Sequence, residues 1–273
     1  MQEEKILDSL FYIDKKPVLD TLSKLSPTET ELLVNFKRVE LKTLLKLTFC
    51  NLLFNKVLIL KKRYLRSSRK SPVRECLVVE TGDRFFDYNI NGYESIFVNQ
   101  IDDESYYHLI PYLKSVYRSA FSKNNYFKIV LKEKALGGFF QLSFFRNLFN
   151  YQALNFRGKE VKSEVSDYLE ELNISLSYLL DNHPKKAANI IKKIKGNIFL
   201  LTDVDSEFYR SFKDNYLEGL EKEESSIIFD FFLESSFEVL FESFASIEEF
   251  FDFSYFVPSG GYDSGMDFGD FDF

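Results

Sequence analysis

Between Leu41 and Arg74 the chain carries ten basic residues and no acid. The dense part is Lys61, Lys62, Arg63, Arg66, Arg69, Lys70 and Arg74, with Tyr64 among them. Cations grouped in this way neutralise phosphate or carboxylate charge on a partner without reading its sequence. The partner classes that fit are a nucleic-acid backbone, an anionic membrane surface and an acidic protein face. A solvated hairpin whose lysines guard an edge strand fits the same residues.

The opposite charge is gathered at the other end. From Glu223 to Phe273 there are thirteen acids, thirteen phenylalanines and no Lys or Arg. The net charge of the whole chain is −7, so residues 1–222 form a mildly basic body with 35 basic against 29 acidic groups. From Pro258 the composition turns to Ser, Gly and Asp, and the chain ends on Asp267, Phe268, Asp270, Phe271, Asp272 and Phe273. Order is expected to be lost near Pro258. This ending resembles the acidic, Phe-terminated tips of bacterial single-stranded-DNA-binding proteins. The resemblance implies a tail that docks on a protein partner or shields the basic hairpin.

Groups for other chemistry are sparse. His108 falls in an amphipathic stretch of Tyr and Leu, and His183 precedes Pro184 at a corner between helices. Neither has a Cys or carboxylate at metal-ligand spacing, and Cys50 and Cys76 form no CxxC pair. Both cysteines lie in apolar runs and are expected to be buried free thiols. Asp203, Asp205 and Glu207 suggest a calcium loop, but Phe208 stands where the sharp turn needs Gly, so helix capping explains them better. There is no phosphate loop, dinucleotide glycine motif, zinc-protease helix or nucleophile elbow. No metal site and no cofactor is expected, and the residues favour a binding protein over an enzyme.

The elements that would position the basic stretch follow from periodicity. Residues 3–13 and a segment opened by Pro17 give short amphipathic helices. Ser26, Pro27 and Glu29 form a helix-start signal for a helix over 27–36. Residues 39–55 give a longer helix through Leu41, Leu44, Leu45, Thr48, Leu52 and Leu53. Val57–Leu60 and Cys76–Val79 then read as strands around a basic loop. Helix 27–36, helix 39–55 and hairpin 56–81 in this order resemble a winged helix-turn-helix. That resemblance implies contact with nucleic acid through the hairpin. Asn51 and Asn55 give the second helix few groups able to read base edges, so backbone contact is favoured over sequence recognition.

Further along, Phe86, Tyr88 and Ile90 alternate before Asn91-Gly92, a hairpin-turn pair, whereas Tyr93–Gln100 could start a helix. A helix is expected from Asp102 through Phe121, with Pro111 ending its first piece or kinking it, and another over 124–136. A second, degenerate winged unit near 104–158 is possible on this pattern. Residues 160–180 and 184–195 give clear helices, the latter with Pro first and Gly196 just past its end. A further helix follows Asp203, and Ser246 to Glu249 forms a capping box. The lysines of the 184–195 helix, Lys185, Lys186, Lys192, Lys193 and Lys195, read as a solvated outer face.

The expected fold is mainly α: a multi-helix body with a winged-helix-like N-terminal unit and a small β-hairpin. The expected division is 1–100 for that unit, 101–256 for helices packed on it and 257–273 for the tail. No signal peptide and no run long enough to span a membrane is evident, so a cytoplasmic protein is expected. Nucleic acid is the first partner expected and an anionic membrane the second. For the latter there is a whole-chain likeness, in Leu-rich helices followed by short extended segments, to the lipid-binding proteins of the Golgi phosphoprotein 3 type.

Overall fold

The computed structural model describes residues 16–36, 38–66, 72–102, 105–120, 123–141 and 153–201, together with Val239, Ile247, Glu249, Phe250 and Phe251. The expected helices at 3–13 and after Asp203, most of the 246–249 capping box and the tail lie outside these residues.

The described residues open with three helices: α1 (Lys16–Leu22), α2 (Pro27–Asn35) and α3 (Leu41–Phe54). The start of α2 is fixed by its sequence. The Ser26 hydroxyl accepts from the Glu29 amide at 3.1 Å, and the Glu29 carboxylate accepts from the Ser26 amide at 2.7 Å. This reciprocal pair satisfies amides that a helix start otherwise leaves open.

Helix α3 is the axis of the body. Leu44, Leu45, Leu47, Thr48, Phe49, Cys50, Asn51, Leu52 and Leu53 are all buried, and none of its residues is exposed. Lys42, Thr43 and Lys46 fall on its partly exposed side, and the rest of the helix is enclosed by its neighbours. Its buried polar groups are therefore paired internally. Thr48 Oγ1 donates to the Leu44 carbonyl at 2.8 Å and lies 2.8 Å from both the Thr28 and Tyr126 hydroxyls.

Strands β1 (Leu58–Leu65) and β2 (Arg74–Thr81) pair antiparallel from Leu58↔Thr81 to Leu65↔Arg74. The strands are longer than apolar content predicts. Lys61, Lys62 and Arg63 belong to β1 and Arg74 to β2, so much of the expected basic loop is hairpin. After the short helix α4 (Ser95–Val98), strand β3 (Tyr107–His108) adds to β2 and completes a three-stranded sheet in the order β1-β2-β3. This corrects the helix expected from Asp102. Tyr107 and His108 are extended, and helix α5 (Leu109–Ser119) starts only after them, with Pro111 in its first turn where no amide is needed. Residues 84–91 are turn and irregular backbone and not the alternating strand their pattern suggests.

Helix α6 (Lys123–Leu131) follows. An isolated bridge then pairs Phe140 with Leu154, and the long α7 (Phe156–Asn182) and α8 (Pro184–Ile194) run into a 3-10 turn at Lys195–Leu200. One buried apolar cluster includes Leu22 of α1, Leu33 of α2, Phe49 of α3, Val79 of β2, Leu113 of α5, Leu172 of α7 and Ile191 of α8. The ends of the described body are tied by Asn197, whose Nδ2 is 2.9 Å from the Leu22 and Leu25 carbonyls. The architecture is mainly α with a small antiparallel sheet.

Candidate anion-binding arm

The hairpin changes character along its length. At its base Leu58, Leu60, Val78 and Val79 are buried. Beyond them Lys61, Lys62, Arg63 and Tyr64 on β1, and Arg74 and Glu75 on β2, are all exposed. Successive strand residues point to opposite faces. Exposure of consecutive residues means that both faces of this half meet solvent, so it projects from the body as an arm.

The arm carries its own acids. Glu80 sits beside Lys61 and Arg63, with Lys61 Nζ at 2.9 Å and Arg63 Nε at 2.7 Å from its two oxygens. Burial pushes the Glu80 carboxyl up, but hydrogen bonds from Lys61 and Arg63 outweigh it and hold the group below the usual carboxylate range. On the opposite face Lys62 Nζ lies 3.8 Å from Glu75, whose carboxylate also accepts from the Tyr64 hydroxyl at 3.0 Å. That hydrogen bond and the Glu75 charge raise the Tyr64 phenol. The Arg63 guanidinium also rests over the Tyr106 ring, 4.6 Å from its centre. The site residues expected from sequence thus divide. Lys61 and Arg63 share one face with Glu80, Lys62 shares the other with Glu75, and Arg66 and Arg74 flank the far end of the paired strands. Arg69, Lys70 and the tail residues Asp267 to Phe273 lie outside the described residues.

Apolar groups accompany the cations. Tyr64 is 71% exposed and Val73 46%, while Tyr106 and Ile110 stand exposed beside the sheet. The combination offers donors and cations together with rings and aliphatic carbon, which suits a surface both charged and apolar. Composition pointed to Tyr64. Nothing in the local sequence singles out Tyr106 or Ile110, because β3 joins them to the arm across nearly thirty residues of intervening chain.

The other polar concentration is internal. Glu94 is completely buried. Its Oε1 accepts from Tyr88 at 3.2 Å and from Asn51 at 3.2 Å, and its Oε2 accepts from the Asn91 amide at 2.8 Å. Burial pushes its carboxyl up to about 7, against the pull of these donors. Nearby, Tyr93 is buried with its hydroxyl 2.8 Å from Ser26 Oγ, and Glu29 is raised by burial as well. A carboxyl titrating near neutrality is a familiar mark of acid–base catalysis. Here both oxygens are occupied by protein donors, so the cluster joins α2, α3 and the 84–94 turns as a structural junction. Asn51, weighed above as a reader of base edges, belongs to this interior.

The histidines and cysteines carry little. His108 is exposed at the end of β3, where it is the N-cap residue of α5 without a side-chain cap bond, and its ring is edge-on to Tyr106 at 6.2 Å. His183 occupies the junction of α7 and α8 with no side-chain cap bond. Cys50 is buried as expected, but Cys76 is only half-buried, because it lies on the arm opposite Arg63. Among the described residues no group of His, Cys, Asp or Glu could hold a metal ion. No described helix is long and apolar enough to cross a membrane. Comparison of the chain with protein-family models, with curated proteins and with solved structures gives no match.

Proposed function

We propose that the protein is a non-enzymatic binding protein that uses the β1–β2 arm to hold an anionic partner, and that this partner is the surface of an anionic membrane. The observation that carries the reading is the pairing of cations with exposed apolar groups on one projecting arm: Lys61, Lys62, Arg63, Arg66 and Arg74 with Tyr64 and Val73. Each basic side chain near an anionic bilayer contributes about 1 kcal/mol. Tyr and Val at the same end supply the partial burial that a purely electrostatic contact lacks.

A nucleic-acid backbone is the second reading. It is favoured by Tyr64 and by the Arg63–Tyr106 stack, which offer rings for bases beside cations for phosphates. It ranks second because α3, the helix a winged unit would place in a groove, buries nine of its fourteen residues and has no fully exposed position. The acidic Phe-rich tail, Asp267 to Phe273, is proposed to shield the arm or to dock on a protein partner. The experiment is flotation with vesicles of matched size. Binding to vesicles containing anionic lipid, lost in Lys61→Ala/Lys62→Ala/Arg63→Ala and absent with zwitterionic vesicles, is the expected result. Equal binding to both vesicle types, or none to either, contradicts it.

A further inference from the structure

Away from the arm, a half-open cleft of about 940 Å³ lies between the end of α2 and the first turns of α7. Its size is within the range of small-molecule sites. One wall is Asn35, Phe36 and Arg38. The other is a stripe of α7, Lys159, Lys162, Ser163 and Ser166, at the spacing that puts residues on one helix face. Leu154 and Ala153 lie between the walls, and Asp167 is the one acid among the described lining residues.

The cations converge from segments about 120 residues apart in sequence, so the cluster is not the outer face of a single helix.

The walls are preformed. The Asn155 side chain caps α7 by accepting from the Gly158 amide at 2.7 Å and donates to the Gly138 carbonyl at 2.9 Å. The Asn155 and Gln141 amides reach the Phe139 and Ala153 carbonyls at 2.9 Å. A Cβ on Gly158 would stand 2.1 Å from the Phe139 carbonyl oxygen, so only glycine lets α7 begin this close to the bridge. On the other wall the Phe36 ring is fixed between Phe127 and Phe140, 5.3 and 5.0 Å away. A preformed site loses little entropy on binding.

We propose that this cleft binds a small organic phosphate. Arg38, Lys159 and Lys162 hold the phosphate. Ser163, Ser166 and Asp167 meet hydroxyl or amino groups on the ligand body, and Phe36 and Leu154 meet its carbon. No arm residue takes part, so this site stands or falls separately from the membrane reading. The phosphate could belong to a soluble ester or to a lipid headgroup, and the probes separate the two.

The test is calorimetric titration of the full chain with inorganic phosphate and with glycerol 3-phosphate at fixed ionic strength. Competition by phosphatidic acid vesicles is then measured. Saturable binding is expected. It should weaken about tenfold or more in Lys159→Glu/Lys162→Glu and in Arg38→Glu, the scale of a lost charge-assisted contact. The control Lys192→Glu/Lys193→Glu, on the exposed face of α8, should stay within about twofold. Thermal melting of each variant confirms that the fold is kept. Competition by vesicles identifies a lipid headgroup, and its absence a soluble ester; either supports the site. No saturable binding of either probe, or equal affinity in the wild type and both cleft variants, overturns it.

Discussion

Asn51 and Glu94 lie 43 positions apart in sequence and meet in the interior, the amide of one 3.2 Å from the carboxylate of the other. The contact joins the central helix α3 to the turns that lead from the sheet into α4. It places a titratable group where water does not reach.

Stability should therefore depend on pH. Burial raises the folded Glu94 carboxyl to about 7, above its unfolded value of 4.5. The folded state thus binds the proton more tightly. Its contribution is complete below about pH 4.5 and is lost as pH rises through about 7. The loss is on the order of 3 kcal/mol. Glu29, raised in the same direction, adds to the trend. Urea titrations between pH 5 and 8 should show stability falling, and Glu94→Gln should flatten the curve. An unchanged slope in the variant would remove Glu94 as the cause.

Asn197 pins the 3-10 turn to the segment after α1 through the Leu22 and Leu25 carbonyls. Asn197→Ala removes the side-chain donor from both buried carbonyls, leaving Leu22 only the Leu25 amide, at a cost of about 1–3 kcal/mol. Chemical denaturation should show that loss with an unchanged denaturant slope. A variant as stable as the parent would show that the pin is not used.

The arm's anion affinity should be limited by its own acids. Glu80→Gln removes the charge that engages Lys61 and Arg63. Binding to anionic vesicles should tighten by about 2–5-fold and depend more steeply on salt. Weaker binding would mean that Glu80 aligns the cations more than it neutralises them.

The base of the arm depends on Gly82. A Cβ there would stand 2.1 Å from the Lys56 carbonyl oxygen, and the Gly82 amide donates to Val57 at 2.9 Å. Gly82→Ala should destabilise the protein by about 2 kcal/mol or more, because the clash is with backbone. It should also disturb amide-exchange protection in β1 and β2 before that of α3. Wild-type protection in the hairpin would contradict the close approach.

The sequence shows the helices well and the junctions poorly. Helices α3, α7 and α8 are legible because Leu and Ile recur at helical spacing, and α2 because Ser26, Pro27 and Glu29 mark its start. Strand β3 is hidden: Tyr107 and His108 adjoin a helical pattern, and only pairing with Val78 and Val79 makes them extended. The strands also run past their apolar cores, since backbone pairing extends through Lys62 and Arg63. The basic cluster was visible as composition, but its pairing with Glu75 and Glu80 was not, because cross-strand neighbours depend on register. The cleft is invisible in sequence for the same reason. Arg38 and Lys162 become neighbours only when α2 packs on α7.

The chain has no Trp. Tyr64→Trp therefore places a single indole on the exposed arm. Its fluorescence should shift to the blue, and brominated lipid should quench it, on adding vesicles that contain anionic lipid. Zwitterionic vesicles should leave it unchanged, and Lys61→Ala/Lys62→Ala/Arg63→Ala in the same background should abolish the response. An indole that stays solvent-exposed with anionic vesicles but is quenched saturably by a single-stranded oligonucleotide would contradict the membrane reading.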